Sequence, residues 1–161
     1  MHAWPETVER VAAELRRSGV EAVIEELDET AAFGGDVNNA LGFKPERVVE
    51  TVIALCDERP VAVLLLGRRQ LSIEKLQRAT GAQQTRIASS REVQELTGIE
   101  LGSVPPFPLP AAIRVFADRE LIDTAQIWAP AGSPRYLVRC AAIDLIALAG
   151  AVVLDAVDAD G

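Results

Sequence analysis

Two apolar runs near the middle of the chain constrain its fold more than any other feature. Residues 48–55 and residues 61–66 consist largely of valine, leucine, isoleucine and alanine. Side chains branched at Cβ favour extended strands because they pack well on a pleated surface. The connection between the runs, from Asp57 to Pro60, has four residues, which is typical of a β-hairpin. The sequence therefore predicts a hairpin at the centre of the fold.

Shorter patterns on both sides of this hairpin predict a mixture of helices and strands. Apolar residues at helical spacing predict a first helix over residues 5–18, ended by Gly19. Further helices are predicted over residues 36–42, 72–79, 90–97 and 141–149, with Ser72 and Ser90 as the N-caps of the second and third of these. Strands are predicted over residues 20–27, 112–117, 124–129, 135–138 and 152–157. The sequence therefore predicts an α+β fold in which short helices flank many strands.

Length and charge limit the functions that such a fold can have. The 161 residues suit a single domain, with a core over about residues 5–157, and the net charge is −8. A protein that coats nucleic acid needs a basic face, so this charge leaves room only for a small contact with one nucleic-acid end. No apolar run approaches the ~18 residues of a membrane span, and no secretory signal is visible. We therefore expect a cytoplasmic protein with no membrane partner.

The counts of histidine and cysteine argue against several catalytic chemistries. His2 is the only histidine, which argues against Ser-His-Asp and Cys-His catalysis and against zinc sites that need two histidines. Cys56 and Cys140 each lie among apolar residues, a setting typical of buried thiols. A disulfide or a nucleophilic thiol is the alternative interpretation of these two residues.

A stiff, proline-rich loop is the first candidate for ligand binding. Residues 98–110 contain four of the nine prolines, and proline removes a backbone donor and fixes its own φ. This stretch therefore cannot form a regular helix or an interior strand. A stiff loop loses little entropy when a ligand binds, and Gly102 permits close approach to the backbone. A rigid connector is the alternative interpretation.

The turn at residues 131–134 and a carboxylate in the hairpin are the other candidates. Successive N–H groups at Gly132 and Ser133 can form an oxyanion nest, in which case Gly132→Val should harm function more than stability. A plain turn is the alternative. Glu50 lies within an apolar strand, and strand alternation places it on the face opposite its two neighbours. A carboxylate there either faces solvent or lines a cavity.

Several motifs, taken in order, resemble the YbaK/prolyl-tRNA-synthetase-associated editing domains. The first is LTGIELGSVPPF at residues 96–107, and the second is AGSPR at residues 131–135, followed after a strand by AIDL at residues 142–145. The order of elements, from the first helix through the central hairpin to the last strand, also matches. The resemblance covers roughly residues 5–157, and the order and spacing of the motifs make it specific.

The resemblance implies both a fold and a function. The implied fold is α+β, with a curved, partly barrel-like mixed β-sheet and flanking short helices. Members of the family hydrolyse the ester that links a wrong amino acid to tRNA, either as free-standing proteins or as insertions in a synthetase. For this chain the resemblance implies a free-standing deacylase whose partner is the acceptor end of tRNA, bound weakly or transiently. No metal or cofactor is expected, because a water oriented by backbone groups and a tRNA ribose hydroxyl can do the work.

The resemblance also indicates which residues form the site. In the family a Gly-x-x-x-Pro loop shapes the amino-acid pocket. The residues that fit this loop and the position after it are Gly102, Ser103, Val104, Pro105, Pro106 and Phe107. A Gly-Ser turn contributes backbone groups near the scissile ester, and Gly132 and Ser133 fit that turn. The catalytic residues expected from the resemblance are therefore Gly132 and Ser133, with Glu50 beside the terminal ribose.

One departure from the family pattern bears directly on the function. Members usually carry a lysine in the first hairpin strand, within a Val-Lys-Thr-like run that contacts the terminal adenosine, whereas this chain has Glu50 there. The opposite charge favours an alternative function, in which the fold serves as a binding module for a nucleotide-like or aminoacyl ligand. An esterase for a small non-tRNA ester is a third interpretation, since it suits the net charge of −8. The sequence selects neither the amino acid nor an oligomeric state.

Overall fold

The computed structural model describes residues 4–27, 47–67 and 69–158, so the helix expected over residues 36–42 lies outside the described residues. The helices are α1 (Glu6–Ser18), α2 (Ile73–Thr80), α3 (Ser90–Thr97) and α4 (Ala142–Ala149), with a 3-10 helix at Arg119–Asp123. The strands are β1 (Ala22–Glu26), β2 (Val49–Cys56), β3 (Arg59–Leu66), β4 (Thr85–Ile87), β5 (Arg114–Asp118), β6 (Gln126–Pro130), β7 (Tyr136–Ala141) and β8 (Val152–Leu154). None of the described helices has the length and apolar character that a membrane span requires.

These strands form two sheets. A five-stranded sheet has the order β4-β2-β3-β5-β8, and a three-stranded sheet has the order β1-β7-β6. The larger sheet is mixed, because β2 pairs antiparallel with β3 and β4 while β3, β5 and β8 run parallel. An isolated parallel bridge between Val48 and Trp128 connects the two sheets. The α+β class with flanking short helices is thus confirmed, but the sheet does not close into a barrel, since β4 and β8 are its two edges.

The central hairpin forms as predicted, with a tighter turn. Strands β2 and β3 pair from Val49–Leu66 down to Cys56–Arg59. Only Asp57 and Glu58 remain between the strands, and their φ angles are 50° and 64°. Positive φ at both central residues is the geometry of the two-residue turn whose twist matches that of the flanking strands. Pro60 lies inside β3, one residue before the pairing with β5 begins.

Both faces of this hairpin pack against apolar clusters, because alternate residues along each strand point to opposite faces. One face packs into the main core, where Val49 and Ile53 contact a cluster that includes residues of α1. The other face carries Ala54 and Leu65 and packs against a second cluster built around Leu76 of α2. The alternation puts the side chain of Glu50 on this second face. Glu50 lies at the end of β2 where the strand approaches the three-stranded sheet.

Serine side chains cap the N-termini of two of the helices. Ser72 is the N-cap of α2, as predicted, and its Oγ accepts the N–H of Lys75 at 3.1 Å. The N-cap of α3 is Ser89 and not the predicted Ser90, because the Oγ of Ser89 accepts the N–H of Glu92. The Glu92 carboxylate reaches back to the Ser89 N–H at 2.9 Å, which completes a reciprocal capping box.

The two cysteines are buried in different apolar clusters. Cys56 packs on the α2 side of the hairpin and Cys140 in the main core. Burial, with a smaller contribution from the Asp144 carboxylate, raises the pKa of Cys140 to about 12. We therefore expect thiol titration to find two free thiols under denaturing, non-reducing conditions and a much slower reaction in the native state. A disulfide that survives denaturation would contradict this expectation.

Candidate functional site

The proline-rich loop and the Gly-Ser turn, 29 residues apart in sequence, touch each other directly. The Gly132 N–H donates a hydrogen bond to the carbonyl oxygen of Ser103 at 3.1 Å. Ser103 is only 3% exposed, and its own N–H donates to the Glu100 carbonyl at 3.1 Å. The two segments singled out in the sequence are therefore neighbours in the fold.

Residues 103–107 of the proline-rich loop are buried. Val104 and Phe107 are 2% and 1% exposed and belong to the main core cluster, and Pro105 and Pro106 are buried as well. Gly102 is the exposed member of the predicted pocket loop, and its φ is 93°. The packing makes residues 103–107 rigid, and the loop faces solvent at Gly102 on one side of them and at Pro108 on the other.

Helix α1 holds the Gly-Ser turn in place. The hydroxyl of Thr7 donates to the Gly132 carbonyl at 2.7 Å, and the φ of Gly132 is 104°. With its N–H bonded to Ser103, Gly132 has both backbone polar groups engaged in holding the turn. Ser133 is partly exposed, and its carbonyl accepts the Tyr136 N–H at 3.1 Å. Among the described contacts, the Ser133 N–H and hydroxyl have no partner, so they are the donors that this turn can offer to a ligand.

Glu50 lies at the rim of a cavity of about 600 Å³. The cavity runs along the edge of β2, and its walls come from β2, β3, residues 69–71, the segment from the end of β4 to α3, and Leu101. Leu101 is 57% exposed and directly precedes Gly102, so the cavity ends beside the proline-rich loop. Volumes of about 300–1,000 Å³ with largely apolar walls are typical of small-molecule sites.

The Glu50 carboxylate has an unusual electrostatic setting. The Glu50 side chain borders the cavity, and in the described part of the chain its carboxylate forms no ion pair and no hydrogen bond. Desolvation by the surrounding walls raises the pKa of Glu50 above its ordinary value. The guanidinium of Arg69 borders the same cavity, but it binds both carboxylate oxygens of Glu120, at 3.0 and 2.9 Å.

Thr51 is a polar residue that lines the cavity and was not among the site residues predicted from the sequence. It is 6% exposed, and its hydroxyl is buried without a hydrogen-bond partner. Native structures leave few buried polar atoms unsatisfied, so such a group calls for an explanation. The sequence feature that could have predicted this residue is a threonine among the aliphatic residues of the buried face of β2.

Three described basic side chains after β3 are each paired with a carboxylate. Arg69 pairs with Glu120, Lys75 with Asp155 at 3.0 Å, and Arg78 with Glu74. No group of three or more potential metal ligands occurs within the described ranges. The local charge is therefore suited to a small, largely neutral or cationic ligand group rather than to an extended phosphate backbone.

Comparison with known proteins assigns this arrangement to a family. Residues 29–148 match the aminoacyl-tRNA editing domain. A proline–tRNA ligase of Streptococcus gordonii is 36% identical over 128 residues, which make up 79% of this chain and 20% of that protein. The chain thus spans about a fifth of the length of this curated relative.

Solved structures agree with this assignment. A candidate trans-editing enzyme for prolyl tRNA synthetase is 28% identical, with a TM-score of 0.84 over 98% of this chain and all of that one. A hypothetical protein is 27% identical, with a TM-score of 0.85 over 92% of this chain and 99% of that one. The predicted family is confirmed. The chain belongs to the aminoacyl-tRNA editing domain family.

Proposed function

We propose that the chain is a free-standing aminoacyl-tRNA deacylase, folded as one domain over residues 5–157 and acting in the cytoplasm. The observation that carries this proposal is the hydrogen bond from Gly132 to Ser103, because it joins the donor turn to the pocket loop, which begins directly after the cavity residue Leu101. The substrate would be a tRNA whose acceptor end carries a wrong amino acid. The similarity to proline–tRNA ligases makes mischarged proline tRNA the first substrate to test.

The proposed reaction is ester hydrolysis by water. The water oxygen forms a bond to the acyl carbon, and the bond from that carbon to the ribose oxygen breaks. The water proton ends on the ribose oxygen, which leaves a free amino acid and a terminal tRNA hydroxyl. The N–H and hydroxyl of Ser133 would donate hydrogen bonds to the charge that develops on the acyl oxygen. In this proposal residues 102–107 form the wall of the pocket, and Glu50 borders the terminal ribose.

Editing of this kind is needed because binding alone discriminates poorly between amino acids of similar size. One methylene changes binding in an apolar pocket by only ~1–3 kcal/mol, so a synthetase that selects by size alone makes errors. A second site that hydrolyses the wrong product removes those errors. A rigid wall, such as the buried segment from Val104 to Phe107, suits this selection because it cannot expand to admit a larger residue.

A panel of substrates tests the proposal directly. Proline tRNA charged with different amino acids would be assayed for deacylation beside the methyl esters of the same amino acids. We expect hydrolysis of at least one mischarged tRNA at a rate well above the spontaneous rate, and little action on the methyl esters. Hydrolysis of the small esters alone would favour the esterase interpretation. Tight binding of an aminoacyl ligand with no hydrolysis would favour the binding module, which the charge of Glu50 recommends as the second candidate.

We predict that the hydrolysis does not depend on a metal ion or on histidine. The only histidine is His2, and the site groups are backbone and hydroxyl donors. Treatment with EDTA and the substitution His2→Ala should each leave the deacylation rate unchanged. Loss of activity with EDTA that zinc restores would contradict the proposed reaction.

A further inference from the structure

We propose that Glu50 and Thr51 form the recognition site for the aminoacyl group, in which the Glu50 carboxylate binds a free α-ammonium group and the Thr51 hydroxyl supplies a second hydrogen bond. This inference rests on the proposed function, because it names the part of the substrate that the cavity takes. It restricts the substrate to aminoacyl groups with an unmodified amine and an apolar side chain.

The first argument is the missing partner of Glu50. Eleven carboxylate side chains of the described residues appear in ion pairs, whereas Glu50 has none although apolar walls remove part of its hydration. A carboxylate in such a setting gains when a cation replaces the lost water. A primary ammonium is small, carries three donors and forms strong charge-assisted hydrogen bonds with carboxylates.

The second argument is the unsatisfied hydroxyl of Thr51. This group can both donate and accept a hydrogen bond, and it is buried next to the cavity without doing either. A buried hydroxyl left without a partner destabilises the protein, because the hydrogen bonds it makes to water in the unfolded chain are lost without replacement. A ligand carbonyl or amine that reaches the hydroxyl would supply the missing hydrogen bond. The unpaired hydroxyl of Thr51 therefore supports a polar ligand group at this place, independently of Glu50.

The topology explains how adjacent residues of one strand can contact the same ligand. Their side chains leave opposite faces of β2. From Val48, which bridges to Trp128, to Ala54, where pairing with β4 begins, β3 is the only strand partner of β2 in the described sheet. The cavity follows this open edge and reaches both faces, so a ligand lying across the edge can contact Glu50 and Thr51 together.

The walls indicate the class of side chain. Leu65, Leu71 and Ile87 line the cavity on the Glu50 side, Val93 lines it on the Thr51 side, and Leu101 also contributes to the wall. These walls favour an aliphatic side chain and disfavour an acidic one, which the carboxylate of Glu50 would repel. N-acylation of the substrate would remove the ammonium charge and add bulk at the same point.

Binding of stable substrate analogues tests the inference. The probes are the alanine and leucine amides of 3′-amino-3′-deoxyadenosine, each with a free amine and with an N-acetyl group, titrated calorimetrically into the full chain. We expect the wild type to bind at least one free-amine probe about 10- to 100-fold more tightly than its N-acetyl counterpart, the range of a charge-assisted hydrogen bond. Glu50→Gln should bring the two dissociation constants together. Glu21→Gln, which changes the same charge at an exposed residue outside the cavity, should keep the wild-type ratio.

Thr51→Val tests the inference in a second way, because it should change stability and binding affinity in opposite directions. The exchange is nearly isosteric and removes the buried hydroxyl, so the free protein should unfold at a higher temperature than the wild type. The same variant should bind the free-amine probe severalfold more weakly. A residue with a purely structural role would change stability without this loss of binding.

The outcomes separate this inference from the proposed function. Equal binding of free and acetylated probes by the wild type, or an unchanged ratio in Glu50→Gln, would overturn the inference, and so would a failure of every probe to bind. Equal hydrolysis of free and N-acetylated aminoacyl-tRNA would overturn it too, while leaving the deacylase proposal intact. Conversely, a Glu50-dependent preference for the free amine in a protein that hydrolyses no aminoacyl-tRNA would support the inference and reject the deacylase.

Discussion

Gly132→Ala is expected to lower the free energy of unfolding by about 3 kcal/mol. A Cβ at this position would lie 2.9 Å from both the Cβ and the carbonyl oxygen of Thr7, so helix α1 would have to move. The φ of 104° adds strain of about 1–2 kcal/mol for any residue with a Cβ, and overpacking typically costs about 1–3 kcal/mol. In a chain of this size the midpoint of thermal unfolding should fall by roughly 10 °C. Gly132→Val should be worse.

Gly102→Ala is the matched control for this prediction. Gly102 has a similar φ of 93°, but a Cβ there would meet no atom within 4 Å. We therefore expect a loss of only about 1–2 kcal/mol, from backbone strain alone. Denaturant unfolding followed by circular dichroism measures both variants. Equal losses in the two variants would show that the contact between the turn and α1 contributes nothing.

Because substitutions of Gly132 destabilise the protein, a loss of activity in such a variant does not by itself show a catalytic role for this turn. The sequence suggested that Gly132→Val would harm function more than stability, but the close contact with Thr7 couples the two. Activity of such a variant has to be compared at a temperature where it remains folded. Ser133 is the cleaner probe, because its side chain is partly exposed and its hydroxyl has no partner among the described residues.

Local patterns were sufficient to predict much of the fold. The hairpin, the N-cap at Ser72 and the orientation of Glu50 all follow from short-range rules of strand alternation and helix capping. The cap at Ser89 was also within reach, because a serine three residues before Glu92 is the pattern of a capping box. Choosing Ser90 instead placed the predicted cap of α3 one residue too late.

Features that depend on distant contacts were not predictable in the same way. Strand β4 is three residues long, and the Asp57 carboxylate in the hairpin turn fixes the segment before it by accepting the N–H groups of Gln83 and Gln84 at 3.0–3.1 Å. No pattern within Thr85–Ile87 itself reveals that contact. The cavity likewise depends on five separate parts of the chain, so alternation could place Glu50 on a face but could not show what surrounds it.

Glu50→Lys is expected to tighten the binding of uncharged tRNA by tenfold or more. If the acceptor end lies against the cavity, the Glu50 carboxylate opposes its phosphates. Two like charges ~4 Å apart repel by about 1 kcal/mol in water and by about 4 kcal/mol at an effective dielectric constant of 20. Because Glu50 is exposed on one side, we take the lower value, and replacing repulsion by attraction then changes binding by about 2 kcal/mol. That difference corresponds to roughly 30-fold in the dissociation constant.

Salt dependence and a charge-matched control identify the cause of this change. The wild type should show a shallow dependence of affinity on salt, because its net charge is −8 and basic side chains near the cavity are paired. One added phosphate contact should steepen the slope of log affinity against log salt by about 0.7–0.9. Glu21→Lys makes the same change of charge at an exposed residue outside the cavity, so it should reproduce only the small effect of net charge. Equal tightening by the two variants would mean that Glu50 does not face the tRNA, and that the acceptor end binds elsewhere on the fold.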